Sequence, residues 1–408
     1  MRLTNEFLSD VFEILGYHPY SEYKHLSRRL KRIEYHSILE GLKKLEKGFI
    51  NGMSSLGTDY MSRHNLLTSY VLYYFPKNLL KIHPILNELY KVDKNAFDCD
   101  RVVEILDLGA GPGTLFFGWL TYMKDNNIPL PKRFNVTAVD RGRDCLDFYK
   151  QLFRRVCNKT QYNIFTLQRN LLDVQNLGFL RGRKRFDIIL IGNLLNELYH
   201  EAENPSAMII DFLHKKLREG GYIIWIEPAD RRSSRRLLTM RDLILKTDNT
   251  FSVIAPCTRQ EYCPALYKSN HAIPEAISPD IKSARDNWCH HEILWTPPDY
   301  LPQLAQELGL HYGTLKFSYL VLKKSNAVFS SDVLYRVVSS RIKEKGKMSI
   351  FICGREGRIK IEMMNRDRSG SNEVFFDLRR GDLISIDKKI DGLAPIIRLD
   401  KETNLKKF

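Results

Sequence analysis

Four residues of types that bind small molecules stand together in the stretch VEILDLGAGPGT, namely Asp107, Gly109, Gly111 and Gly113. The apolar letters before them predict a buried strand that runs straight into the glycines. Glycine permits a tight turn and lets a ligand come close to the backbone, where a side chain would block it. The next apolar run, NVTAVD, ends in Asp140, and an acidic residue at the tip of a second strand is the expected partner of a ribose diol. The spacing indicates a nucleoside ligand, with a glycine turn in an ordinary α/β fold as the alternative.

The order Asp-x-Gly-x-Gly-x-Gly resembles the class I S-adenosylmethionine-dependent methyltransferases more than the dinucleotide-dependent dehydrogenases. The methyltransferase cofactor has no pyrophosphate, so the loop holds only an amino acid and a nucleoside. Later strand ends add Asn170, placed to contact an adenine, and Asn193. Asn193 and Glu197 are also candidates for positioning a substrate, with a helix N-cap as the alternative for Asn193. Methyl transfer needs in-line placement of the nucleophile more than a strong base, so we assign no catalytic residue.

Cysteine is the second residue type whose positions suggest chemistry. The chain has 7 cysteines, and because we expect a cytoplasmic protein, we do not expect disulfides. Cys257 and Cys263 lie in APCTRQEYCP and Cys289 lies in NWCHHEILW, within a predicted insertion at 257–297. Loop thiols beside Pro and Trp residues suit a shielded soft-metal site. The other cysteines before this insertion are expected to be structural: Cys99, Cys145 and Cys157.

The fourth ligand of such a metal site stays open from spacing alone. Zinc and iron–sulfur clusters each usually take four protein ligands. His290 or His291 would complete a zinc site, whereas Cys353 would complete an all-thiolate cluster. Scattered core cysteines without a metal are the remaining alternative.

Basic residues exceed acidic ones and gather in clusters. Lys and Arg number 63 against 48 Asp and Glu, which gives a formal net charge of +15. The clusters lie at 28–32, 181–185 and 231–236 and in the tail Lys406–Lys407. This pattern fits a polyanion partner, for which RNA is our hypothesis, and a solvated basic surface is the alternative.

The sequence gives no signal for membrane insertion or export. It contains no run of about twenty apolar residues, the length needed to span a bilayer. The first residues, MRLTNEFLSDVFEIL, carry acids in an amphipathic pattern, which is atypical of mitochondrial presequences and of secretory signals. We therefore expect a cytoplasmic protein without a membrane partner, and we expect a monomer.

The elements that must position these residues follow an α/β pattern. Residues 1–98 predict a helical domain, and residues 99–325 predict alternating strands and helices in a mainly parallel, doubly wound sheet, the Rossmann-like class I methyltransferase core. Strands are predicted at 102–108, 135–140, 163–168, 186–192, 221–227, 251–256 and 316–323, and helices near 113–124, 143–157, 204–218, 234–247 and 298–308. Residues 326–408 predict a small β domain, whose short β-like runs include Glu373–Phe376.

Several motifs in a fixed order carry a resemblance to a known family. They are LDLGAGPGT, GNLLNEL, APC-x5-CPAL, WCH, KFSYLVL and FICGREG followed by RRGDL. Together they resemble the methyltransferase-like proteins of small ribosomal subunit assembly, which are known from mitochondria and have bacterial relatives. The similarity runs from residue 60 to residue 386, which is most of the chain.

This resemblance implies an S-adenosylmethionine-binding factor that associates with the small ribosomal subunit and its rRNA through the basic clusters. It also implies a 4Fe–4S cluster held by four cysteines that match Cys257, Cys263, Cys289 and Cys353, which would tie the C-terminal β domain to the methyltransferase core. Methyl transfer to rRNA is the implied activity. A catalytically inactive assembly factor on the same fold and a small-molecule methyltransferase are the alternatives.

Overall fold

The protein divides into two compact units. The computed structural model describes residues 1–51, 60–94, 96–97, 101–157, 160–171, 184–201, 205–247, 249–266, 288–325, 334–388 and 396–408. The first unit comprises Met1–Ile226 and Ile293–Leu315, and the second comprises Glu227–Glu292 and Lys316–Phe408. The three-domain division of the sequence analysis, with boundaries at 98 and 325, stays a prediction.

The first unit opens with helices. They are α1 (Asn5–Ile14), α2 (Leu26–Arg29), α3 (Arg32–Asn51), α4 (His64–Leu80) and α5 (Ile82–Val92). α1 begins after Thr4, whose hydroxyl caps the helix by accepting the N–H of Phe7 at 3.3 Å. α4 is buried around most of its circumference, which explains why its sequence lacks the polar stripe of a surface helix.

Strands and helices then alternate along the first unit. They are β1 (Val103–Leu108), α6 (Thr114–Asp125), β2 (Phe134–Asp140), α7 (Arg143–Val156), β3 (Tyr162–Gln168), β4 (Phe186–Gly192), α8 (Leu195–Glu201), α9 (Ser206–Lys216) and β5 (Leu217–Pro228). Aromatic side chains of α6, α7 and β2 form the core beside the sheet, and Phe116, Phe134 and Tyr149 are fully buried. α6 also packs against α4 and α5, so the N-terminal helices belong to the same unit as the sheet.

Five parallel strands form the sheet of the first unit, in the order β3-β2-β1-β4-β5. β1 pairs with β2 on one side and with β4 on the other, so that Asp107 lies opposite Ala138 and Leu190. Because parallel crossovers are right-handed, connections that run in opposite directions from β1 place their helices on opposite faces. The sheet is therefore doubly wound, as predicted. Its switch point lies at the carboxyl ends of β1 and β4, where such sheets bind ligands.

The second unit contains one long helix and two sets of strands. They are α10 (Arg231–Thr247), β6 (Phe251–Ala255), β7 (His291–Leu294), β8 (Thr314–Lys324), β9 (Leu334–Val337), β10 (Ile342–Glu344), β11 (Lys347–Gly354), β12 (Gly357–Met364), β13 (Leu383–Ile386), β14 (Ile396–Leu399) and β15 (Leu405–Lys407). β6 runs antiparallel to β8. The remaining strands, β9 to β15, form a second sheet in the order β14-β12-β11-β9-β13-β15, with β10 beside β11. α11 (Leu301–Glu307) belongs to the first unit.

One predicted β run of the small domain is wrong. Glu373–Asp377 is a 3-10 helix, although its consecutive β-branched and aromatic residues, Val374 to Phe376, favour a strand. The side chain of Asn372 donates to the carbonyl oxygens of Asp367 and Asp400, both at 3.0 Å. The N–H of Phe375 then donates to the carbonyl of Asn372 at 2.9 Å and closes a turn. The ring of Phe375 is buried in the core of the second sheet. A side chain that joins a nearby carbonyl to one 28 residues away thus overrides the local pattern.

The other predicted elements of the alternating region are confirmed, with ends that differ by a few residues. β5 begins earlier than predicted, at Leu217. Along the described part of the chain, no helix combines the length and the hydropathy that a membrane span requires.

Candidate functional site

The turn after β1 has a backbone that glycine adopts more readily than other residues. Gly109, Gly111 and Gly113 have φ angles of +63°, +51° and +87°, in the left-handed region. Gly113 is the N-cap of α6, and a Cβ there would lie 2.6 Å from the ring of Phe117. A Cβ on Gly111 would meet no atom within 4 Å. Gly113 is therefore required by packing, whereas Gly111 faces open space.

Two carboxylates flank this turn, and both are held by hydrogen bonds. Asp107, near the end of β1, is 2% exposed and accepts a hydrogen bond from the Tyr149 hydroxyl at 3.2 Å. Asp140, the last residue of β2, accepts the backbone N–H groups of Gly111 and Gly142, each at 2.8 Å. Because Asp140 binds the N–H of Gly111, the second strand fixes the shape of the glycine turn.

Burial raises the pKa of both carboxyl groups. The pKa of Asp107 lies well above its ordinary value of 3.8, because burial outweighs the hydrogen bond from Tyr149. Burial also raises the pKa of Asp140, although the N–H groups of Gly142 and Gly111 oppose it. A bound cation would favour the charged form of each carboxylate. The pair thus suits a ligand that brings a positive charge together with hydroxyl groups.

These residues line a pocket of about 1000 Å³, counting space open to solvent. Most of the predicted cofactor residues lie in its wall: Asp107, Gly109, Gly111, Asp140, Asn170 and Asn193. Gly113 instead lies at the start of α6, where it lets the helix follow the turn directly. This part of the wall is formed by the carboxyl ends of β1, β2 and β4, by residues that follow these strands and β3, and by Ile226 from β5. This is the edge at which open α/β sheets bind their ligands.

The N-terminal helices also contribute to the pocket, which the sequence reasoning missed. Met61, Tyr70, Asn78 and Lys81 line it. Asn78 Nδ2 donates to the Tyr70 hydroxyl at 3.3 Å, and Lys81 brings a positive charge at the C-terminal end of α4. These residues carry no local signal in the sequence, because Tyr70 and Asn78 lie on a helix with several other polar residues, among them Ser69 and Lys77.

The segment after β4 completes the rim. Asn193 has a φ of +55°, unusual for a residue other than glycine and common at binding sites. Leu198 donates its N–H to the carbonyl of Leu194 at 3.1 Å, so Leu194, not Asn193, is the N-cap of α8. Glu197, which also lines the pocket, forms an ion pair with Arg141 at 3.0 Å.

The second unit brings together Cys257, Cys263, Cys289 and Cys353. Cys263 is 4% exposed and packs against Cys289. Cys257 and Cys289 each interact electrostatically with both Cys263 and Cys353. Burial and then the neighbouring cysteines raise the pKa of Cys289 to about 11 and that of Cys353 to about 12. The structure thus brings together the four cysteines that the family resemblance implies as ligands, although Cys257 and Cys353 are almost a hundred residues apart in sequence.

Buried arginines surround these cysteines. Arg241 and Arg259 are 1% and 6% exposed. The Nε of Arg241 and the Nη1 of Arg259 are buried, and neither has a hydrogen-bond partner among the described residues. Both positive charges oppose the burial-driven rise in the pKa of Cys353. Arg241 forms an ion pair with Asp242, and Arg259 forms one with Glu261 at 3.3 Å. Their remaining N–H groups and positive charge also suit an anionic group among the cysteines.

Two histidines follow Cys289 directly. His291 packs its ring against Tyr319, with centroids 4.6 Å apart, and burial lowers the pKa of His290 to about 4. Within the described ranges, no three His, Cys, Asp or Glu side chains form a group that could hold a metal ion. Of the cysteines expected to be structural, Cys145 and Cys157 are buried, whereas Cys99 lies outside the described residues.

A family model described as "Mitochondrial small ribosomal subunit Rsm22" matches residues 65–382. The chain belongs to this family. The region matched by the Rsm22 model contains the pocket residues from Tyr70 to Ile226 and all four clustered cysteines. No curated protein matches the chain.

Solved structures similar to this Rsm22 family member include several methyltransferases. A precorrin-6y C5,15-methyltransferase from Geobacter metallireducens is 12% identical, with 58% of this chain and 88% of that chain covered and a TM-score of 0.32. A methyltransferase from Thiobacillus denitrificans in complex with S-adenosyl-L-homocysteine is 17% identical, with 38% and 48% covered and a TM-score of 0.24. The [4+2]-cyclase SpnF is 13% identical, with 59% and 81% covered and a TM-score of 0.32. The fold assignment rests on the strand order described above.

The basic clusters of this Rsm22 family member differ in exposure. Arg28, Arg29, Lys31 and Arg32 are exposed and precede the region matched by the family model. The expectation that the whole 231–236 cluster faces a polyanion is wrong, because its last two arginines are only 3% and 5% exposed. They lie on the buried side of α10, and Arg235 donates to the carbonyl of Ala265 at 3.1 Å. Residues 181–183 lie outside the described residues.

Proposed function

We propose that this protein binds S-adenosylmethionine and acts as a methyltransferase-like factor on the RNA of the small ribosomal subunit. The pocket carries this proposal, because it combines a glycine turn, two buried carboxylates and a position at the switch point of a doubly wound sheet. The family description, which names the mitochondrial small ribosomal subunit, supports the ribosomal part. The cytoplasmic location stays a prediction.

The charges of the pocket fit the parts of S-adenosylmethionine. Asp140 at the tip of β2 suits the ribose hydroxyls, as in other nucleoside-binding sheets. Asp107 would gain a cationic partner from the ammonium group of the methionine part, which offsets its burial. Lys81, which also lines the pocket, would supply a positive charge for the methionine carboxylate. Asn170 follows β3 in the wall and is our candidate for the adenine.

Methyl transfer is the activity that this pocket would support. The cofactor supplies an activated methyl group, so the protein's task is to bind it and to place a nucleophile in line with it. The rim residues Asn193 and Glu197 are candidates for positioning that nucleophile. The exposed arginines and lysine at 28–32 suit the phosphates of an RNA substrate.

We also propose that Cys257, Cys263, Cys289 and Cys353 hold a 4Fe–4S cluster. Four cysteines that interact electrostatically with one another suit a cluster with four thiolate ligands. The buried Arg241 and Arg259 would offset the negative charge of such a cluster. A cluster of this kind provides either structural cross-linking or one-electron chemistry, and the contacts favour cross-linking between the loop at 257–263 and β11.

The decisive test of the activity uses small ribosomal subunits from cells that lack the protein. Transfer of radiolabel from S-adenosylmethionine to their rRNA would support an RNA methyltransferase. Tight binding of S-adenosylhomocysteine without transfer to any subunit intermediate would favour the catalytically inactive assembly factor. A steep fall in RNA affinity with salt would exclude the small-molecule methyltransferase, whose basic surface has no polyanion partner.

The test of the metal site is an anaerobic purification with iron, acid-labile sulfide and zinc quantified. About four irons and four sulfides per chain, with a brown colour, are expected for the cluster. One zinc and no sulfide would move the fourth ligand from Cys353 to His290 or His291. Protein that has never met air and contains no metal would contradict both assignments.

A further inference from the structure

We propose that Arg241 and Asp242 of α10 are positioning residues for the cluster site: together they fasten the loop between Cys257 and Cys263, and Arg241 stabilises the negative charge of the cluster. This inference rests on the proposed 4Fe–4S cluster. It concerns two adjacent residues that touch the loop but supply none of the four sulfur ligands.

The hydrogen bonds of this pair converge on the cysteine loop. Arg241 Nη2 donates to the carbonyl oxygen of Arg259 at 2.7 Å, and Arg259 lies between Cys257 and Cys263 in sequence. Asp242 accepts the backbone N–H of Cys263, with its Oδ2 at 3.0 Å. One residue of the pair therefore holds the middle of the loop and the other holds its second ligand.

The pair is completely buried. Arg241 and Asp242 have side chains that are 1% and 0% exposed, and they form an ion pair with each other. Moving two charges out of water costs more than an isolated pair regains unless further hydrogen bonds compensate. Asp242 obtains such compensation from the N–H of Cys263. Arg241 obtains only part of it, because its Nε has no hydrogen-bond partner among the described residues.

The cysteines are the remaining groups that could compensate the buried charge of Arg241. Its charge interacts with all four of Cys257, Cys263, Cys289 and Cys353. A thiolate or a bridging sulfide accepts N–H donors, so a bound cluster would provide the acceptor that the Nε lacks. Arginine suits this position because it stays charged when buried and presents several donors in a fixed plane.

The charge of Arg241 has a measurable consequence. A 4Fe–4S cluster with four thiolate ligands carries a charge of about −2 when oxidised and about −3 after it accepts one electron. A buried positive charge nearby stabilises the more negative state, with little screening by solvent. Removing that charge makes the reduction potential more negative, and removing the guanidinium's hydrogen bond loosens the loop.

The experiment compares three variants of the anaerobically purified full chain. Arg241→Gln removes the positive charge. Arg241→Lys keeps the charge but lacks the planar guanidinium with its several N–H donors. Arg398→Gln is the control, because Arg398 is an arginine of the same unit whose side chain is 69% exposed and forms an ion pair with Glu362 at 3.3 Å. Iron and sulfide content, the midpoint potential by voltammetry and the rate of iron transfer to a chelator are measured for each.

We expect Arg241→Gln to lower the midpoint potential and to transfer iron about 10- to 100-fold faster than wild type, as ligand-supporting residues do. Arg241→Lys should transfer iron faster with a potential close to that of wild type. If Arg241→Gln does not fold, the Lys variant decides, since unchanged iron transfer would overturn the fastening role. Equal shifts of potential in Arg241→Gln and Arg398→Gln would overturn the charge role. Wild-type protein without iron and sulfide would refute the proposed cluster itself, before any variant is compared.

Discussion

Gly111 separates two roles that glycines play at a binding turn. The ring of Phe117 leaves no room for a side chain at Gly113. Gly111 instead combines a positive φ with empty space beyond its α-carbon. A structural turn requires only the first property. Because Gly111 also lies in the wall of the pocket, this open space leaves room for a ligand to lie against the backbone there.

Gly111→Ala should weaken binding of S-adenosylhomocysteine by about tenfold or more, which is about 1.4 kcal/mol. The added methyl group occupies space that the ligand needs. Gly220→Ala is the matched control, because Gly220 has a φ of +78° and also meets nothing within 4 Å, but lies outside the pocket wall. Calorimetric titration measures both. Equal affinity in the two variants would show that Gly111 serves the turn alone.

Because of Asp107, the free energy of unfolding of the apoprotein should depend on pH in a direction that can be stated. Its pKa is raised by burial, so the folded protein binds the proton more tightly than the unfolded chain does. The free energy of unfolding therefore falls as the pH rises above 3.8 towards the folded pKa. Asp107→Asn should flatten this fall in urea unfolding measured at several pH values, whereas Asp211→Asn, at an exposed position, should not. A slope unchanged in Asp107→Asn would contradict the assignment.

At the scale of elements, the sheet was predictable and the helical wall was not. The carboxyl ends of β1, β2 and β4 each carry a local signal, since an apolar run stops at a polar or glycine residue there. Tyr70, Asn78 and Lys81 carry none, because they reach the pocket through the packing of α4 and α5 against α6. Arg235 and Arg236 show the opposite error. A run of arginines predicts an exposed surface, but these two side chains are buried in the second unit.

The contribution of α4 leads to a test of how the cofactor is recognised. Lys81→Met should weaken binding of S-adenosylhomocysteine by about 10- to 100-fold, the cost of a lost hydrogen bond to a charged group. Affinity for 5′-methylthioadenosine, which lacks the amino acid, should stay unchanged. Lys77→Met is the control, because Lys77 lies one turn earlier and donates to the Tyr73 hydroxyl and the His311 carbonyl at 3.0 and 2.9 Å. A parallel loss for both ligands would show that Lys81 does not bind the carboxylate.

For the molecule as a whole, the pocket and the cysteine group lie in different units. All the pocket residues belong to the first unit, and all four clustered cysteines belong to the second, although the second unit consists of two separate stretches of sequence. Spacing could suggest Cys257, Cys263 and Cys289 because they lie in one insertion. Cys353 could not be found that way, because only the fold of the second unit brings β11 to them.

Replacing Cys353 should therefore affect distant segments together. Cys353→Ser removes the one proposed ligand from the β domain, so we expect loss of iron and sulfide and faster amide exchange in both β11 and residues 257–266, because metal binding is coupled to local folding. Cys157→Ser, at a buried cysteine after α7, should keep the metal and the exchange pattern of these segments. Hydrogen exchange read by mass spectrometry locates the change. Faster exchange confined to β11, with iron retained, would mean that Cys353 packs in the core and that a different residue completes the metal site.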